Sequence, residues 1–246
     1  MRRALAAFAY PLRGLRSAWG DARLRALAWP PAVFFCGALV GTAVACVKGF
    51  GALSALVWAR PAGAWLVLWY PLQVFLALAL AVAALFAVLV VQAIFTAPWN
   101  DALSERVERL RTGQGGPPSS VRQLLGDVGR TIQIELGKLA LYVGVMLPLF
   151  VLSSLVPVVG PVVFAFVGWI STALFFAFDY MDWPMSRRGW GFRRRIAFLR
   201  GDLASAMGFG TGCWLLLFLP VVNVFFVAGA VTGGTNLFLD LSEAKR

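Results

Sequence analysis

Apolar residues fall into four long stretches, and polar residues gather in the intervals between them. The first, Ala26–Val47, has 22 residues and no charge, enough at 1.5 Å per helical residue to cross a hydrocarbon core of about 30 Å. It predicts a transmembrane helix. Pro30 and Pro31 lie in its first turns, where a missing N–H costs little, and so mark the helix start rather than a kink. Lys48–Ala64 reads as a short, Gly-rich loop, and Trp58, Arg60, Trp65, Trp69 and Tyr70 as an aromatic belt at the far interface. The second stretch, Pro71–Ala97, has 27 residues, more than a span needs, which predicts tilt or continuation beyond the bilayer.

Residues 98–138 differ in kind. DALSERVERLR reads as a polar helix, TGQGGPPSS as a flexible break, and VRQLLGDVGRTIQIELGK as an amphipathic helix. In the last, Val121, Leu124, Leu125, Val128, Ile132 and Leu136 recur at 3–4 spacing on one face. The segment is expected outside the bilayer or at its surface.

The remaining apolar stretches repeat one another. Pro157-Val-Val-Gly160 and Pro220-Val-Val-Asn223 stand 63 positions apart, each between apolar arms, and predict two helical hairpins at 139–178 and 204–239. Gly160 and Asn223 suit a reversal because both tolerate left-handed backbone. No charge lies at either tip, so the hairpins are expected to penetrate the membrane partly or nearly completely, as backbone buried in protein or lining a cavity can. The fold class predicted is an all-α membrane protein, a single integral-membrane domain over 1–246, with two long transmembrane helices and two re-entrant or hemi-penetrating hairpins.

Composition agrees: 60% of the 246 residues are apolar and 13% charged, against roughly 45–50% and about 25% in an average globular chain. The formal charge of +11 is compatible with nucleic acid, anionic lipid, an anionic solute or membrane orientation. Its distribution narrows the choice. Lys48 and Arg60 are the only basic residues in the loop after the first span, and the other 20 of 22 flank the apolar stretches on one side. The positive-inside rule then predicts both termini and both long polar segments in the cytoplasm. The short basic connector between the hairpins offers no soluble nucleic-acid-binding face, so no nucleic acid partner is expected.

Absences limit the chemistry. Without histidine, hydrolytic triads, haem and zinc sites lose their commonest residue. Cys36, Cys46 and Cys213 are isolated in apolar runs, far from metal-ligand or C-x-x-C spacing. No enzyme activity, cofactor or metal is expected, and no P-loop offers ATP coupling. No secretory signal is evident at the N-terminus.

Three charged groups are candidates for function. Asp101, Glu105 and Glu108 share nearly one helix face with Arg106, Arg109 and Arg111 interleaved, which fits either a solvated helix with Glu105–Arg109 and Glu108–Arg111 pairs or a cytoplasmic gate or intramolecular ion-pair network. The connector carries Arg187, Arg188, Arg193, Arg194, Arg195 and Arg200 beside Trp183, Trp190 and Phe192, which fits either a lipid-surface anchor or an anion vestibule. Arg23 and Arg25 precede the first span, where they either set topology or meet an anion at the helix N-terminus.

Several segments together resemble one family. TAPWNDALSERVE is similar to the A-P-F-N-x-x-L-x-E-x-V-E signature of CysZ-type sulfate permeases and the wider etoposide-induced membrane protein family, with Pro98 in its second half-turn. YMDWPMSRRGWGFRRR, with Asp182 and Pro184, resembles that family's aromatic-Leu-Asp-Tyr-Pro segment. GFGTGCWLLLFLPVVNVFFVAGAVTGGT, with Pro220 and Asn223, resembles its closing stretch. The resemblance implies a bacterial inner-membrane protein that passively takes up sulfate or a related oxyanion and assembles as a homo-oligomer in contact with membrane lipid. It places an anion-binding motif near Arg23 and Arg25. In a permease reading Asn100, Glu105 and Arg109, near the inner end of the second span, would shape a polar constriction. A non-transporting membrane scaffold that binds lipid or partner proteins is the other reading.

Overall fold

A computed structural model describes residues 2–114, 128–218 and 220–244. The described residues are helical: α1 (Arg2–Phe8), α2 (Tyr10–Gly20), α3 (Ala22–Val57), α4 (Leu66–Thr112), α5 (Val128–Leu155), α6 (Val159–Arg187), α7 (Phe192–Arg200), α8 (Leu203–Leu217) and α9 (Pro220–Glu243). The segments Ala22–Val57, Gly63–Val88, Leu136–Leu155 and Val159–Arg187 are long and apolar enough to cross a membrane. The chain divides into two compact units, residues 29–99 and residues 1–28 with 100–246.

Unit 29–99 is an apolar pair of helical segments closed by a short loop. The first helix begins earlier than its apolar run suggested, because Asp21 caps it: the carboxylate accepts hydrogen bonds from the N–H groups of Arg23 at 2.7 Å and Leu24 at 3.1 Å. Pro30 and Pro31 therefore lie inside α3 and do not mark its start. The helix also passes Lys48 and Gly51 to end at Val57, so the connection is shorter than the predicted loop. There the expected aromatic group assembles. Trp69 Nε1 donates to the Trp58 carbonyl at 3.2 Å, Trp58 and Trp65 meet edge-on, and the Arg60 guanidinium lies over the Trp69 ring at 5.8 Å. Phe34 stacks on Phe95 along the helices.

In the other unit, small residues let helices approach to backbone contact. A side chain on Gly14 of α2 would overlap the backbone of Gly229 and Gly233 in α9, and one on Gly210 of α8 would overlap the Ala173 carbonyl of α6. Around these crossings Phe178, Met181 and Met185 of α6, Phe198 of α7, Phe209 and Cys213 of α8, and Phe226 and Phe238 of α9 form one buried core. A second core joins Ala18, Leu24 and Ala28 to Leu103 and Val107 of α4 and Val231 of α9.

In the regions of the two expected hairpins the chain runs as consecutive helices, α5 then α6 and α8 then α9. At the first tip the left-handed residue is Val158, with φ 70° and ψ −57°, bridged by Val159 N–H donating to the Pro157 carbonyl at 2.8 Å. This is the strained, rarer form of the γ-turn. Gly160 instead serves close approach, since a Cβ there would overlap the backbone of Ser153. The side chains of Pro220 and Asn223 lie outside the described residues. So do Val121, Leu124, Leu125 and the side chains of Val128 and Ile132 from the amphipathic reading. Of that proposed face, Leu136 is exposed, whereas Ile134, off the face, is buried.

Candidate functional site

The second span and the polar helix DALSERVERLR are one continuous helix, α4. Past Asn100 it turns Leu103 and Val107 into the second core, and the same packing brings a polar stripe, Asp101, Ser104 and Glu108, against the end of α6. The i, i+3, i+7 spacing puts these three on one face.

Arg187, 1% exposed, enters that stripe. Its guanidinium donates to Asp101 Oδ1 at 2.6 Å, to the Asp101 carbonyl at 3.1 Å, to Ser104 Oγ at 2.9 Å and to Glu108 Oε2 at 3.1 Å. Arg188 pairs with the other oxygen of Glu108, donates to the Pro184 carbonyl at 2.9 Å and lies over the Phe238 ring at 4.9 Å. Ser104 meets Thr235 Oγ1 at 2.7 Å, and Thr235 donates to the Val231 carbonyl at 2.8 Å. Since the Thr235 proton is committed to Val231, Ser104 is the donor between the hydroxyls. The chain of donors runs Arg187, Ser104, Thr235, Val231, with two guanidinium charges facing two carboxylates. Such a buried cluster holds only when every member is satisfied.

Two further pairs extend the pattern. Arg195, also buried, pairs with Asp182 and donates to Ser186 Oγ at 3.1 Å and the Trp190 carbonyl at 2.8 Å. Lys138 of α5 reaches Asp179 Oδ1 at 2.8 Å. On the surface, Arg111 meets Asp240 at 2.6 Å, and the same carboxylate accepts from the Tyr10 hydroxyl. Partial burial first, and then the Asp240 hydrogen bond, push the Tyr10 phenol up to about 12.

The connector arginines therefore do not act as one group. Arg187, Arg188 and Arg195 are internal counterions, which removes them from both the lipid-anchor and the vestibule reading. The proposed Glu108–Arg111 pair is replaced: Glu108 turns to Arg187 and Arg188, and Arg111 to Asp240. Glu105–Arg109 does form, at 2.7 Å on the outer side of α4. Asn100 is buried at the base of this segment, and in α6 Pro184 is buried and Asp182 half-buried. Pro98 lies inside α4.

Arg23 and Arg25 have the opposite character. Leu24 and Ala28 turn inward to Leu103 and Val107, so Arg23 and Arg25, on either side of Leu24, point out and are exposed. Arg25 donates to the Trp19 carbonyl at 3.4 Å. The first N–H groups of α3, where an anion would meet the macrodipole, are held by Asp21. The N–H groups of Leu24 and Arg23 hold that carboxyl below the usual carboxylate range. An oxyanion approaching Arg23 meets a carboxylate already in place.

Four segments able to cross a bilayer, with ion pairs gathered around the ends of α4 and α6, define a multi-pass membrane protein. Residues 10–228 match the family described as Sulfate transporter CysZ/Etoposide-induced protein 2.4, and the chain belongs to that family. It is 36% identical over 179 residues to the sulfate transporter CysZ of Pseudomonas aeruginosa strain PAO1, covering 72% of this chain and 70% of that protein. The sulfate transporter CysZ of Salmonella typhimurium strain LT2 is 30% identical over 149 residues, 61% of this chain and 58% of that protein.

Proposed function

We propose that this chain is a permease for sulfate or a related oxyanion. The observation that carries the reading is the family match over residues 10–228, with relatives named as sulfate transporters at up to 36% identity. Those names favour transport over a scaffold role. The charge arrangement supports it: with Arg187, Arg188 and Arg195 neutralised internally, Arg23 and Arg25 are the exposed arginines at the start of a span. Guanidinium groups bind tetrahedral oxyanions through paired hydrogen bonds, and here they attract and partly dehydrate the anion. Asn100 and the Glu105–Arg109 pair shape the polar constriction, and exposed Arg60 on the far loop supplies the first attraction.

The setting follows from the same reading. The protein lies in the bacterial inner membrane with both termini in the cytoplasm, its hairpins entering without fully crossing, and assembles as a homo-oligomer whose copies help to enclose the path. A cysteine replacing Val158, with Cys36, Cys46 and Cys213 changed to serine, is expected to resist an impermeant maleimide added outside; ready labelling would show that the first hairpin crosses.

Radiolabelled sulfate uptake into proteoliposomes tests the function. Uptake no greater than in protein-free vesicles, with insertion verified, would sink the permease. Arg23→Ala with Arg25→Ala is expected to abolish most uptake and weaken sulfate binding, and unchanged affinity would return both residues to topology alone. Asp21→Asn keeps the cap but removes its charge, and is expected to tighten sulfate binding by ~2–5-fold.

A further inference from the structure

Two arginines of the connector are not consumed by the ion-pair network. Arg193 and Arg194 are exposed at the start of α7 and form no ion pair among the described residues, in contrast to Arg187, Arg188 and Arg195. With Gly191 and Phe192 they form one wall of a cleft of about 550 Å³, and Gln133 and Ile134 of α5 form the other.

The cleft is built. Its floor is the buried Ile134 and the Phe192 ring, which packs against Phe178 and fits the space left open at Gly137, where a Cβ would stand 3.1 Å from the ring. Arg194 is oriented by the Trp190 ring, 4.4 Å from its guanidinium carbon. No carboxylate lines it among the described residues. Gln133 stands one helical turn before Leu136, the first residue of a membrane-length apolar segment. From there Leu136, Leu139, Val143 and Leu147 are exposed along one side of α5. A cationic, mostly apolar cleft thus opens at the end of a membrane-length segment, directly onto an acyl-chain-sized apolar strip.

We propose that this cleft binds one anionic phospholipid, the phosphodiester held by Arg193 and Arg194 and an acyl chain lying along Leu136, Leu139 and Val143. A free oxyanion matches the guanidinium groups but leaves the apolar strip uncovered, and a zwitterionic lipid offsets the attraction with its own ammonium. The inference rests on the protein's membrane location and not on sulfate transport, so either can fail without the other.

The test is native mass spectrometry of the full-length protein in detergent, titrated with phosphatidylglycerol or phosphatidylcholine. Phosphatidylglycerol is expected to be retained about thirtyfold better, in keeping with roughly 1 kcal/mol for each of the two arginines. Arg193→Gln with Arg194→Gln is expected to erase that preference, Arg193→Lys with Arg194→Lys to keep most of it, and Arg200→Gln outside the cleft to leave it unchanged. Equal retention of the two lipids by the unaltered protein would overturn the proposal, and that comparison stands whether or not any variant folds. It would also be overturned if inorganic phosphate displaced phosphatidylglycerol, or if the preference survived in a folded double-glutamine variant.

Discussion

The helix pairs α5–α6 and α8–α9 share a Pro-Val-Val sequence near their junctions, yet they occupy opposite surroundings. In the first, α5 and α6 are apolar and open: only 6% of the most apolar part of Leu136–Leu155 is buried and 17% of that of Val159–Arg187. In the second, α8 has Ala206, Gly208, Phe209, Gly210, Gly212 and Cys213 buried, and α9 is buried from Ala228 through Thr235. Hydropathy does not separate them. Residue size does, because glycine at a crossing admits another backbone where leucine would present a side chain to lipid. The open hairpin has arms long enough to span, whereas α8, at 15 residues, falls short of the roughly 20 a span requires.

The most severe way to break this contrast is at the polar end of the open hairpin. Arg187→Met removes the Asp101 counterion and one of the two arginines on Glu108 and is expected to cost about 3–5 kcal/mol, seen as loss of monodisperse protein on fluorescence-detected size exclusion. Next comes the size rule. Gly210→Ala, which forces a methyl onto the Ala173 carbonyl, is expected to destabilise by about 1–3 kcal/mol. Gly144→Ala in α5, with nothing within 4 Å of the new methyl, should raise the melting temperature slightly through a gain of up to about 1 kcal/mol. Equal effects at the two positions would refute the contrast. Val158→Gly relieves the left-handed turn and is expected to stabilise the open hairpin by about 1 kcal/mol in the same melting assay.

The smallest effect is a pH dependence where Tyr10 meets α9. The folded protein favours the neutral phenol, so this contribution is fully present below about pH 10 and is lost as pH rises towards 12. Ultraviolet titration should show Tyr10 ionising late, and Asp240→Asn should bring it earlier.

The spans were legible because twenty-odd uncharged residues in succession leave few alternatives, and Glu105–Arg109 because it joins neighbours on one helix. Excess length in the second run pointed to tilt or continuation, and the helix runs on past the apolar residues into the polar half of α4. The start of α3 was misread: the apolar run drew attention to Pro30 and Pro31, whereas Asp21, with its short side chain before the first free N–H groups, was the stronger signal. An ion-pair network at Asp101 and Glu108 was among the readings, but Arg187 as its partner was not legible, since it stands 79–86 residues from the groups it meets and no local pattern distinguishes a basic residue that faces lipid from one that faces a carboxylate. The stripe at Asp101, Ser104 and Glu108 was the available hint. Gly208, Gly210 and Gly212 likewise marked the closely packed hairpin, but only three-dimensional crossing shows what each one meets.

The buried state of Arg187 and Arg195 also implies an order of events. Charge bias orients a membrane chain while its segments are being inserted, before distant carboxylates have found their partners. At that moment all six connector arginines are still hydrated and count equally. Folding then withdraws Arg187, Arg188 and Arg195 from the surface, so the same residues serve first as an address for the nascent chain and afterwards as its internal mortar. A neutral replacement at Arg187 thus acts twice, on the biogenesis of the protein and on the finished molecule.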